Sequence, residues 1–155
     1  MTIKNLIFNS NNNFSFKIDK KFRIKDFQIS SEIKLNELLF FNNFKLKKIF
    51  PEVKQEISFS DHLLKVNYSE KSLNIEGSGK ILLQEKHDVI NYSINKNDKS
   101  YKFQTSLEVN KNPFKIDTLN FEKNEISKIM IEINGEHFLN KKTMLNEIYL
   151  TEKDN

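Results

Sequence analysis

The chain has 155 residues, with 25 Lys plus Arg against 21 Asp plus Glu and no cysteine. That length suits one domain able to bury a real core, and the net charge of +4 is spread along the chain instead of forming the basic stripe that nucleic acid requires. The lack of cysteine excludes disulfides, zinc–thiolate sites and thiol nucleophiles, while 14 Phe among many Ile and Leu supply enough apolar material for a folded module.

The N-terminal stretch runs from Met1 to Phe8 into Asn9, Ser10, Asn11, Asn12 and Asn13, without the continuous apolar segment of a secretion signal. A period of two then dominates: Phe14, Phe16 and Ile18, followed by Phe27, Ile29, Ile33 and Leu35. Such alternation sends successive side chains to opposite faces and predicts half-buried strands. The longest apolar run is Leu38, Leu39, Phe40 and Phe41, far short of the roughly 20 residues of a membrane-spanning helix, so no transmembrane segment is expected. Between Phe44 and Ile57 the side chains of Phe44, Leu46, Ile49, Phe50 and Val53 could line one side of a helix, but Pro51 interrupts it. At most a short helix or an irregular connection is expected near residues 44–57.

Alternation resumes with Leu64, Val66 and Tyr68, then Leu73, Ile75, Ile81 and Leu83. Gly77 and Gly79 share the parity of that last set and leave a gap in its apolar face, which points to a bulge, a bend or the close approach of another backbone. Gly77-Ser78-Gly79 leads into a strand pattern, so it is not a phosphate loop, which opens a helix. Ile90, Tyr92 and Ile94 precede a turn signal at Asn97-Asp98. In the next run Tyr101, Phe103, Thr105, Leu107 and Val109 oppose Lys102, Gln104, Ser106 and Glu108, a strand with one dry side. Asn112-Pro113 marks a break. Ile129, Ile131 and Ile133 run into Asn134-Gly135, the residue types of a type I′ hairpin turn.

The expected class is mainly β: a single module over residues 1–155, an antiparallel meander forming a long curved sheet or open β-groove, its strands about 25 to 35 Å long at about 3.3 Å per residue. No catalytic chemistry emerges from the residues. His62, His87 and His137 are far apart and lack metal-ligand spacing. The serines have no nucleophile-elbow context and the carboxylates form no pair, so neither an enzyme, a metal nor a cofactor is expected. Three matches to the glycosylation pattern, at Asn13, Asn67 and Asn91, are what chance produces in a chain this rich in Asn and Ser.

What remains is the apolar side of the sheet. Alternating apolar faces ordinarily fill the closed core of a structural or adhesive β-sandwich; the alternative is an open groove. The stretches FRIKDFQISSEIKL from Phe22, FKLKKIFPEVKQEI from Phe44, LKVNYSEKSLNIEGSGKILLQ from Leu64 and YKFQTSLEVNKNPFKIDTLNFEKN from Tyr101 resemble the AsmA-like (YhdP-type) family of bacterial lipid-transfer proteins in style and strand rhythm, across about residues 14–150. That resemblance implies a β-groove segment of a longer periplasmic protein, tethered to the inner membrane through an anchor outside this segment and joined to neighbouring β modules of the same chain. It would shield the acyl chains of phospholipid, or of another acyl-chain lipid, between bacterial membranes. The candidate groove floor is Leu64, Val66, Leu73, Ile75, Ile81, Leu83, Tyr101, Phe103, Leu107, Val109, Ile129, Ile131 and Ile133. Exposing acyl chains costs about 0.8 kcal/mol per methylene, more than about 20 kcal/mol for a two-tailed lipid, and an apolar floor would remove most of that barrier.

Overall fold

A computed structural model describes residues 2–43, 45–97, 99–123, 126–139 and 142–153. Strand makes up 71% of the structure and helix 4%, as the period-two patterning predicts. Ten strands are present among the described residues: β1 (Ile3–Ile18), β2 (Ile24–Phe41), β3 (Glu56–Ser69), β4 (Ser72–Leu82), β5 (Asp88–Lys96), β6 (Ser100–Val109), β7 (Lys115–Ile116), β8 (Phe121–Glu122), β9 (Lys128–Phe138) and β10 (Thr143–Lys153). Eight form one antiparallel sheet in the order β1-β2-β3-β4-β5-β6-β9-β10, an open meander that does not close into a barrel. β7 and β8 pair with each other as a small ribbon.

The connections alternate in length. At one end the chain reverses tightly, as at Glu70-Lys71 between β3 and β4, at Asn97, whose Oδ1 accepts from the Lys99 and Ser100 amides, and between β1 and β2, where Asp19 Oδ1 accepts from the amides of Lys21 and Arg23. Asp98 of the predicted Asn97-Asp98 turn lies outside the described residues. At the other end the β2–β3 and β6–β9 connections are longer and fold over one face. The first carries a single 3₁₀ turn, Leu46–Lys48, which Pro51 follows; this is the short helix expected there, and Phe44 lies outside the described residues. Another carries β7, the 3₁₀ turn Asp117–Leu119 and β8.

Two details differ from expectation. β2 spans 18 residues, about 60 Å at 3.3 Å per residue, because the chain absorbs irregularity in bulges without ending the strand. Asn134-Gly135 is no turn: both residues lie inside β9, opposite Gln104 and Phe103 of β6, and neither has the positive φ of a type I′ turn.

Direct partners in an antiparallel ladder face the same side of the sheet, so the registers assign every residue to a face. One row across the sheet reads Phe8, Leu35, His62, Gly79, Ile90, Leu107, Ile131, Leu150; on the opposite side a row reads Asn11, Glu32, Lys65, Glu76, Ser93, Gln104, Asn134, Glu147. The sheet therefore has one apolar and one polar face. β3 keeps this segregation by a bulge: Asp61, at φ 53°, and His62 together oppose Gly79. The apolar set thereby shifts from odd positions (Ile57, Phe59) to even ones (Leu64, Val66, Tyr68), where an unbroken alternation would have turned one half of it to water.

Candidate functional site

The two long connections bury one end of the apolar face and leave the rest open. Phe50 and Phe114, from the two caps, pack over Phe40, Ile57, Ile81, Leu83, Val109 and Ile129, with the two cap rings 5.6 Å apart edge to face. A polar network ties the caps to the sheet. Gln84, fully buried, accepts from the Glu52 amide at 3.0 Å and donates to the Pro113 carbonyl at 2.8 Å. Asn112 donates to Asp88 Oδ2 and to the Lys86 carbonyl, both at 2.7 Å, which explains the sequence break at Asn112-Pro113. Burial pushes the Asp88 carboxyl above its usual range, partly opposed by the hydrogen bond from Asn112.

Beyond the cap, Leu35, Leu38, Phe59, Leu64, Ile90, Tyr92, Ile94, Phe103 and Thr105 line a depression of about 350 Å³, at the small end of the range for ligand pockets. Its lining comes from β2, β3, β5 and β6. The central strand β4 contributes no side chain to it, because at Gly77 and Gly79 there is none to project. The space is partly taken by rings lying flat: a β-carbon at Gly77 would stand 2.3 Å from Tyr92 Cζ, and one at Gly79 would stand 2.3 Å from His62 Cδ2. Gly135 receives the Phe103 ring in the same way, 2.6 Å from such a β-carbon. All three glycines of the chain thus sit on the apolar face beneath aromatic rings, which lowers the floor and packs its backbone. The close approach predicted at Gly77 and Gly79 is made by side chains, with His62 Cα also within 2.7 Å at Gly79.

Unlike His137, which is exposed opposite Tyr101 on the same face, His62 is the buried histidine there. It is 1% exposed, stacks edge-on to Phe59 at 5.0 Å and donates from Nε2 to the Lys80 carbonyl at 2.9 Å, while Nδ1 has no partner among the described residues. Burial lowers its pKa, against the opposing effects of the Lys80 hydrogen bond and of Asp61. Burial also holds the Tyr92 phenol above its usual value, so the ring that lines the depression is neutral, with the His62 ring 6.1 Å away.

All 13 candidate floor residues lie on the apolar side, but they separate into two groups. Ile81, Leu83, Val109 and Ile129 are buried beneath the cap as part of the core. Leu64, Val66, Leu73, Ile75, Tyr101, Phe103, Leu107, Ile131 and Ile133 are half-buried, with Leu107 and Ile131 packed against the capped core. Of these only Leu64 and Phe103 line the depression, and its other lining residues were absent from the candidate set. Their alternation in β2 and β5 was visible; their neighbourhood depends on strand order.

Among the described residues no group of three or more His, Cys, Asp and Glu side chains is placed to hold a metal ion, and no helix is long and apolar enough to cross a membrane. No family model matches the chain, and no curated protein or solved structure matches it either.

Proposed function

We propose that the chain is a non-catalytic β-groove segment whose open apolar face shields the acyl chains of a lipid. The observation that carries this reading is the uncovered apolar depression bounded by Leu35, Leu64, Ile94 and Phe103 on a sheet whose opposite face is polar. The lining of that depression is almost wholly apolar, the chemistry an acyl chain seeks. Each methylene laid on that floor recovers about 0.8 kcal/mol, and the floor supplies no reacting group, so movement along it is passive sliding.

The AsmA-like resemblance gives this groove its setting. The chain would work in the periplasm as part of a longer protein tethered to the inner membrane, with neighbouring β modules extending the floor for phospholipid passing between membranes. The other reading, a structural or adhesive module with a closed core, draws on the capped end, where Val109 and Ile129 are wholly buried.

Native mass spectrometry with lipid extraction on the purified chain separates the two. Bound phospholipid that disappears in a still-folded Phe103→Asp variant supports the groove. A lipid-free chain that Phe103→Asp unfolds, as Val109→Asp should by burying an unpaired charge, supports the closed module.

A further inference from the structure

The two edges of the sheet are built differently. β10 carries the features that discourage strand pairing: Glu147 and Glu152 along its length and a register shift between Leu145 and Glu147. β1 has Lys4 and Lys17 near its ends and register shifts of its own at Ile3/Asn5, Ile7/Phe8 and Ser15/Lys17, but none of these features between Phe8 and Ser15. All 16 of its residues are exposed, and from Asn5 to Phe16 the sequence NLIFNSNNNFSF holds no charge, proline or glycine. Against β2 the ladder is regular from Phe8 to Ser15. That edge presents unpaired backbone donors and acceptors with nothing to repel a second strand.

We infer that β1 pairs antiparallel with β1 of a second copy of this chain, about a two-fold axis through Asn11. The sequence of β1 is self-complementary about that residue, as a two-fold interface requires. On the apolar face Phe8 meets the partner's Phe14, and Ser10 meets the partner's Asn12. On the polar face Asn9 meets the partner's Asn13, and Asn11 meets the partner's Asn11, a short ladder of amides of the kind that stabilises paired strands. The lysines at either end avoid each other, since Lys4 falls opposite the partner's Ile18 and Lys17 opposite the partner's Asn5. An axis normal to the sheet keeps both apolar faces on one side, so the dimer is one sixteen-stranded sheet with a continuous apolar surface.

The chain has no cysteine, so a single introduced one reports on its own copy. In this register Asn11→Cys stands directly opposite itself, within the Cα separation a disulfide spans, and mild oxidation should yield a covalent dimer. Ser15→Cys lies eight residues from its copy, about 26 Å, and should stay uncrosslinked. By sedimentation the native chain should run at twice the 18.4 kDa of one copy. Asn11→Lys, which sets like charges face to face on an exposed position, should run at the single-chain mass with an unchanged circular dichroism spectrum. A native chain at the single-chain mass, open-ended multimers, or cross-linking at Ser15→Cys in place of Asn11→Cys would each overturn the pairing. Should Asn11→Lys fail to fold, the cross-linking pattern alone decides.

Discussion

Tyr92 lays its ring across Gly77, its direct partner in the β4–β5 ladder, so closely that a β-carbon at 77 would coincide with the phenol's far end. Glycine is weak in strands for want of a side chain to pack, and here the neighbouring ring packs the backbone instead. Gly77→Ala should therefore expel Tyr92 from the floor at a cost of about 1–2 kcal/mol, and the cost should shrink in a Tyr92→Leu background. Gly79→Ala should cost more, because there the new methyl meets His62 Cα, which belongs to the backbone of β3 and cannot rotate away. Chemical denaturation of the two single variants and the Gly77–Tyr92 double-mutant cycle checks both the order and the coupling.

The division of the apolar face into core and open floor has an energetic consequence along a single strand. Ile129 and Ile133 are both on β9 and on the same face, yet Ile129 is wholly buried beneath the cap whereas Ile133 is half-buried. Ile129→Ala should destabilise by about 2–5 kcal/mol through lost transfer energy and an unfilled cavity. Ile133→Ala should cost less than about 1.5 kcal/mol, since the side chain gives up less burial. Denaturant midpoints at unchanged slope provide the comparison.

Strand content and antiparallel order were legible because alternation is local: each residue's parity reports its face without knowledge of its neighbours across the sheet. Asn134-Gly135 shows the limit of local reading. The dipeptide has turn chemistry, but its glycine answers to Phe103 on the adjacent strand, a contact 32 positions earlier in the chain. The bulge at Asp61 left a trace, the slip from odd Ile57 and Phe59 to even Leu64 and Val66, which acquires meaning only once Gly79 is seen opposite it. The separation of Ile129 from Ile133 had no local trace at all, because it depends on where Phe50 and Phe114 fold back.

His62 makes the floor sensitive to acid. Burial lowers its folded pKa below the ordinary histidine value of about 6.5, so the unfolded chain binds the proton more readily. The stability that the neutral ring contributes is complete above about pH 6.5 and is lost as pH falls from there through the lowered folded pKa. Melting temperatures taken from about pH 7.5 down to about pH 5 should fall for the native chain. In His62→Leu, whose side chain keeps the position apolar without a titrating group, the fall over that window should be smaller; equal slopes would remove His62 as its cause.

Gln84 joins the two caps through one amide, accepting a hydrogen bond from the Glu52 N–H and donating one to the Pro113 carbonyl. Gln84→Leu keeps the bulk but removes the partner of two part-buried backbone groups, at up to about 1–3 kcal/mol each. Because both orphaned groups belong to the caps, the loss should be local before it is global. Hydrogen exchange should quicken over residues 45–54 and 110–122, while the amides of β4, β5 and β6 at the far end of the sheet keep their protection. Opening the caps would also bare Val109 and Ile129, extending the apolar floor to the end of the sheet. If acyl chains occupy the floor, the Gln84→Leu variant should retain at least as much lipid as the native chain, which the same mass-spectrometric measurement reads directly.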